Sequence, residues 1–194
     1  MRGKQDATLE RRIAAAEKEV VKAKATVARL RRRRPRLDIE DYDLHGPGGE
    51  KVPLSSLFGD KDDLILIHNM GRGCPFCTMW ADGFNGLLPH IENRAAFVVV
   101  SPDSPAEQAK FAASRGWNFR MLSARGTAFT RDLGFESRDG GYQPGVSILH
   151  REKDGRIVRA AKGRFGPGDD FCSAWHFFDM LANGRAGWAP RFRY

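Results

Sequence analysis

Cys74 and Cys77 are separated only by Pro75 and Phe76. A pair of thiols at this spacing is a redox dithiol, half of a metal site, or two small apolar residues that happen to be close. The local sequence favours the first if the pair stands at the start of a helix. There, unpaired backbone N–H groups and the helix dipole favour an anion. A thiolate is such an anion, and it is the nucleophile of thiol–disulfide exchange once its pKa falls below the free value of about 8.5. Cys77, three residues on, lies one turn away on the same face, so it can attack a mixed disulfide at Cys74 and release the product. Pro75 suits an early helix position, where its missing N–H has no partner to lose. Arg72, two residues upstream of Cys74, adds positive charge if it faces the sulfur. The spacing thus predicts Cys74 as nucleophile and Cys77 as resolving thiol.

Such a pair needs a strand before it and a helix after it. "DDLILIHNM" is an apolar run of the length expected for a strand buried on both faces. "CTMWADGFNGLLPHI" predicts the helix, with Gly83 and Gly86 weakening its later turns. "AAFVVVSPD" predicts a second buried strand, parallel to the first through a right-handed crossover. "SPAEQAKFAASRGW" predicts a helix with Ser104 as N-cap and Glu107 completing a capping box. "FRMLS" reads as a short strand and "GTAFTRDLGF" as a short helix. "PGVSILHREKDGRIVRAAKGRF" reads as a hairpin turning at Asp154-Gly155, and "DDFCSAWHFFDMLANG" as a helix closed by Gly184. Upstream, "DYDLHGPGGEKVPLSSLFG" has the alternation and the Gly-Pro-Gly-Gly turn of another hairpin. The order predicts an α/β fold: a mixed central sheet with helices on both faces.

Ahead of this body stands a segment of different character. Through Arg36 the chain carries 13 Lys and Arg against four Asp and Glu, so the net charge of +8 resides there and the remainder is nearly neutral. Residues 8 to about 34 lack Gly and Pro. Leu9, Ile13, Ala16, Val20, Ala23, Val27 and Leu30 alternate in steps of four and three, a heptad stripe. It predicts a helix laid against the domain or against a twin in a homodimer. "RLRRRRPR" could contact phosphate, but without interleaved aromatics nucleic acid is not an expected partner. The domain plan is a basic helix at 1–36, an α/β domain at 37–184 and a tail at 185–194. No run reaches the roughly 18 apolar residues of a membrane span. The N-terminal residues lack the apolar core of a secretory signal, so a cytoplasmic protein is expected. Neither a phosphate-cradling Gly-rich loop nor a Ser-His-Asp arrangement stands out, and no cofactor is expected.

"DYDLHGPGG…LSSLFG", "GCPFCTMWAD" and the leader ending in "RRRRP" together resemble a bacterial thioredoxin-like family known as domain of unknown function 899, over roughly residues 8 to 180. The wider resemblance is to the thioredoxin fold and to its peroxiredoxin-type members, in which a hairpin precedes the core. It implies a dithiol oxidoreductase acting on a protein or small-molecule thiol or disulfide. It also implies a cis-proline at the start of the strand facing the dithiol, for which Pro144 in "YQPGVSILH" is the candidate, orienting a partner's backbone. Thioredoxins keep a buried acid six residues before the first cysteine. His68 stands there instead, either moving protons near neutral pH or simply packed in the core.

Two other chemistries stay open at this level, as does a non-enzymatic adaptor that uses the fold as a scaffold and the basic helix as its working surface. In the implied topology the last helix begins near the dithiol, so Cys172 and His176 could join Cys74 and Cys77 as a zinc set. The simpler reading is a buried cysteine and a helix-face histidine. A peroxiredoxin-like peroxidase would use Thr78 and Arg72 around the sulfur, although the usual threonine three residues before the cysteine is replaced by Gly71.

Overall fold

The computed structural model describes residues 2–194, with side chains from Asp6 onward. The chain divides into two units between Pro35 and Arg36. The first is helix α1 (Arg2–Arg33). Its residues are strong helix formers, and it ends where Pro35 drives the preceding residue out of the helical region. Arg31, Arg32 and Arg33 in its last turn complement the helix dipole. Leu9, Ile13, Val20, Val27 and Leu30 of the stripe are exposed.

The second unit is built on one eight-stranded sheet. In chain order it contains β1 (Leu37–Ile39), β2 (Asp43–His45), β3 (Lys51–Pro53), a 3-10 turn (Leu54–Phe58), β4 (Asp63–His68), α2 (Pro75–Arg94), β5 (Ala96–Ser101), α3 (Pro105–Arg115), β6 (Arg120–Ser123), α4 (Phe129–Asp132), β7 (Gly145–Arg151), β8 (Ile157–Arg164) and α5 (Ser173–Asp179). Across the sheet the order is β1-β8-β7-β4-β5-β6-β2-β3. β4 is parallel to β5 and antiparallel to β7, so the apolar run Leu64–Ile67 lies at the centre with a neighbour on each edge. That is why it alternates in packing rather than in polarity: Leu64 and Leu66 enter one core cluster, Ile65 and Ile67 the other. One face is covered by the 3-10 turn and α4, the other by α2 with Phe111 and Ala112 of α3. The capping box at Ser104 and Glu107 forms as expected.

Two elements differ from expectation. β1 adds an edge strand to β8, pairing Leu37 with Arg159 and Ile39 with Ile157. α5 spans only Ser173–Asp179, instead of running from Asp169 to Gly184. Its early part is taken by a turn in which the Asp169 carboxylate accepts the N–H groups of Gly166 and Phe171, both at 2.8 Å. Aspartate competes well for such local bonds. The tail beyond 184 packs on the domain: Phe192 stacks edge-on against Phe111, its carbonyl accepts Arg115, and Trp188 meets Trp175 and Phe178.

Candidate active site

β4 ends at His68, and the turn to α2 is held by two side chains. Asn69 Oδ1 accepts Gly71 N–H at 2.8 Å, and Asp103 Oδ2, two residues past the end of β5, accepts Arg72 N–H at 2.7 Å. Gly71 takes φ +102°, a left-handed conformation that glycine adopts without strain. An added Cβ there would meet Asp103 Oδ1 at 2.9 Å. The turn delivers Cys74 as the N-cap of α2, with Pro75 in the first helical position.

Cys74 Sγ accepts the backbone N–H of Cys77 at 3.0 Å, closing the cap that a serine or aspartate would normally supply. The Cys77 thiol also donates to Cys74. These bonds and the Phe76 N–H outweigh burial and bring the Cys74 pKa down to about 7. Cys77 moves the opposite way, raised first by the hydrogen bond it donates to Cys74, then by burial and the neighbouring thiolate. Both cysteines are unpaired by disulfide, and exposure separates them: Cys74 is 9% exposed and Cys77 3%. Behind Cys77 lies a void of about 10 Å³ lined by Trp80, Ala81, Phe84, Pro144 and Phe165. At most one water fits such a space, so a substrate sulfur has to arrive from the Cys74 side.

The other sequence candidates are only partly drawn in. Arg72 turns away from the sulfur: its guanidinium binds Glu107 Oε1 at 3.0 Å, more than half exposed, and it is not among the causes lowering Cys74. Thr78 spends its hydroxyl on the Cys74 carbonyl at 3.0 Å. Pro144 reaches the dithiol side through the void, but no peptide bond among the described residues is cis. The segment entering β7 is instead held by Gln143 N–H to the Phe135 carbonyl at 2.8 Å and by Phe165 N–H to the Pro144 carbonyl at 3.0 Å. Cys172 packs half-buried against the cluster that holds the dithiol, whereas His176 is exposed beside Asp170 at 3.7 Å. Among the described residues no group of three or more His, Cys, Asp and Glu is arranged to hold a metal, so the zinc set is not assembled.

His68 borders the void behind Cys77, but its ring turns to the opposite core from the cysteines. It follows Leu64 and Leu66 in strand parity, so its ring enters the opposite core, stacked on Phe135 with centroids 3.8 Å apart. Nε2 bonds Ser147 Oγ at 2.9 Å, while the buried Nδ1 has no hydrogen-bond partner. Burial, helped by the charges of Arg159 and Lys162, pushes its pKa down to about 3. The ring is thus held neutral in the core, bonded to Ser147. The consequence is acid sensitivity. The unfolded chain takes up a proton near pH 6.5 and the folded one does not, so stability is constant above that value and falls as pH drops towards 3. Between pH 7 and 5 the expected loss is about 2 kcal/mol. Urea unfolding at the two pH values checks this, and His68→Gln should flatten the dependence.

Asn69 and Asp103, which fix the turn, and Trp175, which stacks on Phe76 at 6.1 Å, are site residues that motif reading missed. Asn69 carried a signal as a turn former two residues before a glycine. Asp103 and Trp175 carried none, since both meet the motif only through the fold.

A family model described as "Bacterial protein of unknown function (DUF899)" matches residues 5–191. The chain belongs to this family. No curated protein matches it. Among solved structures, this DUF899 protein is similar to the bacterioferritin comigratory protein of Xanthomonas campestris, with TM-score 0.55 and 24% identity, covering 66% of this chain and 85% of that one. The peroxidoxin BcpB of Mycobacterium tuberculosis gives TM-score 0.53 and 24% identity over 78% of this chain and 96% of that one. A peroxiredoxin of Vibrio vulnificus, solved with hydrogen peroxide, gives TM-score 0.56 at 18% identity, over 68% and 87%. At these identities the likeness speaks for the fold: the DUF899 chain has a thioredoxin-like fold of peroxiredoxin type. No helix among the described residues is long and apolar enough to cross a membrane.

Proposed function

We propose that the protein is a thiol–disulfide oxidoreductase. The Cys74 thiolate attacks one sulfur of a substrate disulfide, forming a mixed disulfide and expelling the other sulfur as a thiolate that takes up a proton. Cys77 then gives up its proton and attacks the Cys74 sulfur. That breaks the mixed bond, releases the second substrate thiol and leaves a Cys74–Cys77 disulfide. Two electrons pass to the substrate, and an external dithiol must return them for a further cycle. The observation that carries this reading is the cap at Cys74 Sγ, which accepts the backbone N–H of Cys77 at 3.0 Å, with the Cys77 side chain as the largest influence bringing its pKa to about 7. The same geometry times the second step. Cys77 is kept protonated first by its hydrogen bond to Cys74, then by burial and the adjacent anion, and the first and last of these vanish once Cys74 is bonded to substrate.

A hydroperoxide is the competing substrate class, since alkyl peroxide reduction is described for the Xanthomonas protein of similar fold. Peroxide O–O cleavage calls for a hydroxyl donor and a cation at the sulfur. Here a threonine at Gly71 would be strained at φ +102° and would crowd the Asp103 carboxylate, Thr78 is engaged elsewhere, and Arg72 is bound to Glu107. Disulfide exchange, which asks only for a thiolate and a resolving thiol, fits better. Alkylation of the reduced protein by iodoacetamide should proceed at Cys74 first, with a midpoint near pH 7. Titration against a thiol–disulfide buffer should show one two-electron transition. A midpoint near 8.5, the free value, or turnover of hydroperoxide well above that of disulfides would overturn the reading.

A further inference from the structure

The exposed stripe of α1 has no role in the dithiol chemistry, and its residue types define a partner. In heptad terms Ile13, Val20 and Val27 occupy a, and Leu9, Ala16, Ala23 and Leu30 occupy d. β-branched residues at a with leucine at d are the pattern of a parallel two-stranded coil. The five large residues of this seam are 43–58% exposed, far above what such side chains show in a core.

The flanking charges decide which partner fits. Position g holds Arg12, Glu19, Thr26 and, at the end of the helix, Arg33, and position e holds Glu10, Glu17, Lys24 and Arg31. In a parallel, in-register pair each g residue faces the e residue five positions on in the other chain. Arg12 of one copy then meets Glu17 of the other, and Glu19 meets Lys24. Thr26 meets Arg31, so no like-charge contact arises along the seam. Each opposite pair occurs twice by symmetry. An antiparallel arrangement that opposes Val20 with Ala23 also pairs the e positions favourably, but it sets Arg12 against Arg33. Lys18, Lys22, Arg29 and Arg32 fall at c and f, on the back of the helix. An anionic membrane or a phosphate backbone approached by the apolar stripe would meet mixed charge at its edges, with Glu10, Glu17 and Glu19 set among Arg12, Lys24, Arg31 and Arg33. Glu19 is held along the helix by Lys22 Nζ at 2.6 Å, both well exposed, and its carboxylate has a second oxygen for a partner chain.

We infer that α1 forms a parallel, in-register two-stranded coiled coil with the α1 of a second copy of this chain. The pairing brings both Pro35 ends, and the chain that continues from each, to one end of the coil. Two alanine layers make the seam narrow and the association concentration-dependent. The claim is independent of the dithiol chemistry, and neither outcome below bears on that.

The full-length protein tests it. Light scattering and sedimentation should give a dimer, and Val20→Glu, on an exposed helix position, should return the monomer with the domain still folded. Glu19→Lys should weaken the dimer about tenfold by turning both symmetry-related pairs repulsive, and adding Lys24→Glu should restore it. In a Cys74→Ser, Cys77→Ser, Cys172→Ser background, Val20→Cys should oxidise to a covalent dimer, whereas Lys18→Cys, at f, should not. A chain that stays monomeric at about 100 µM overturns the proposal. So does a dimer that Val20→Cys fails to cross-link, or a double swap weaker than Glu19→Lys alone, as an antiparallel coil would give. Binding of phosphatidylserine vesicles or duplex DNA by a persistently monomeric chain overturns it equally.

Discussion

Replacing Cys74 with serine should reduce disulfide turnover by at least about 10³-fold, because a neutral alcohol substitutes for the attacking thiolate. Cys77→Ser should fail differently. The first attack survives, since the cap is completed by the backbone N–H of residue 77, which the substitution keeps. The mixed disulfide then has no thiol to resolve it, so substrate accumulates covalently at Cys74 and is released on adding dithiothreitol. Cys77→Ser also shows what sets the Cys74 pKa. Its largest lowering comes from the Cys77 side chain, and a hydroxyl is the shorter but still competent donor. If the pKa stays near 7, the hydrogen bond and not sulfur chemistry sets it; if it rises towards 8.5, the thiol's softness matters. Stopped-flow alkylation of both variants and mass spectrometry of the trapped adduct measure the effects. Equal turnover by wild type and Cys74→Ser would remove the assignment of the nucleophile. A mixed disulfide trapped on Cys77 in the Cys74→Ser variant, with none on Cys74 in Cys77→Ser, would invert it.

Why the dithiol was legible and much of its surroundings was not comes down to the range of the interactions. Strand β4, the turn and the start of α2 are adjacent in the chain. An apolar run followed by Cys-Pro therefore announces a buried strand and a helix start without further help. His68 was half legible: strand periodicity sets it on the face opposite Ile67. Only the sheet's covering helices reveal that α2 and the cysteines take the Ile67 side. Arg72 looked available because its partner, Glu107, stands on α3, with a carboxylate also serving the Ser104 cap. β1 was invisible because three residues with one partly buried apolar side chain carry no period, and pairing with β8 alone defines it. Pro144 shows the opposite failure. The strand start was placed well, but the peptide bond follows from how Phe135, Gln143 and Phe165 tie that segment, and no local pattern encodes this.

Gly145→Ala should destabilise the protein by about 3 kcal/mol, a large fraction of the stability of a domain this size. Gly145 opens β7 and is paired with His68 across β4 and with Arg164 across β8. A methyl group there would overlap both Phe135 Cε1 and the carbonyl oxygen of Gly163. The carbonyl belongs to a sheet and cannot rotate away, and the Phe135 ring is fixed by its stack on His68. Relief requires β7 and β8 to part at the end nearest the dithiol, which takes Pro144 away from the void behind Cys77. The stability loss should therefore come with faster alkylation of Cys77, a change that an equally destabilising substitution at a distant site would not produce. Gly83→Ala supplies the contrast: an added Cβ on this exposed position in α2 meets nothing within 4 Å. It should stabilise by about 0.5–1 kcal/mol through helix propensity alone. Denaturant midpoints for the two variants, with the alkylation rates, separate a glycine required by close approach from one the helix merely tolerates. A Gly145→Ala protein as stable as wild type would mean that the Phe135 stack and the β7–β8 register yield more easily than their packing implies.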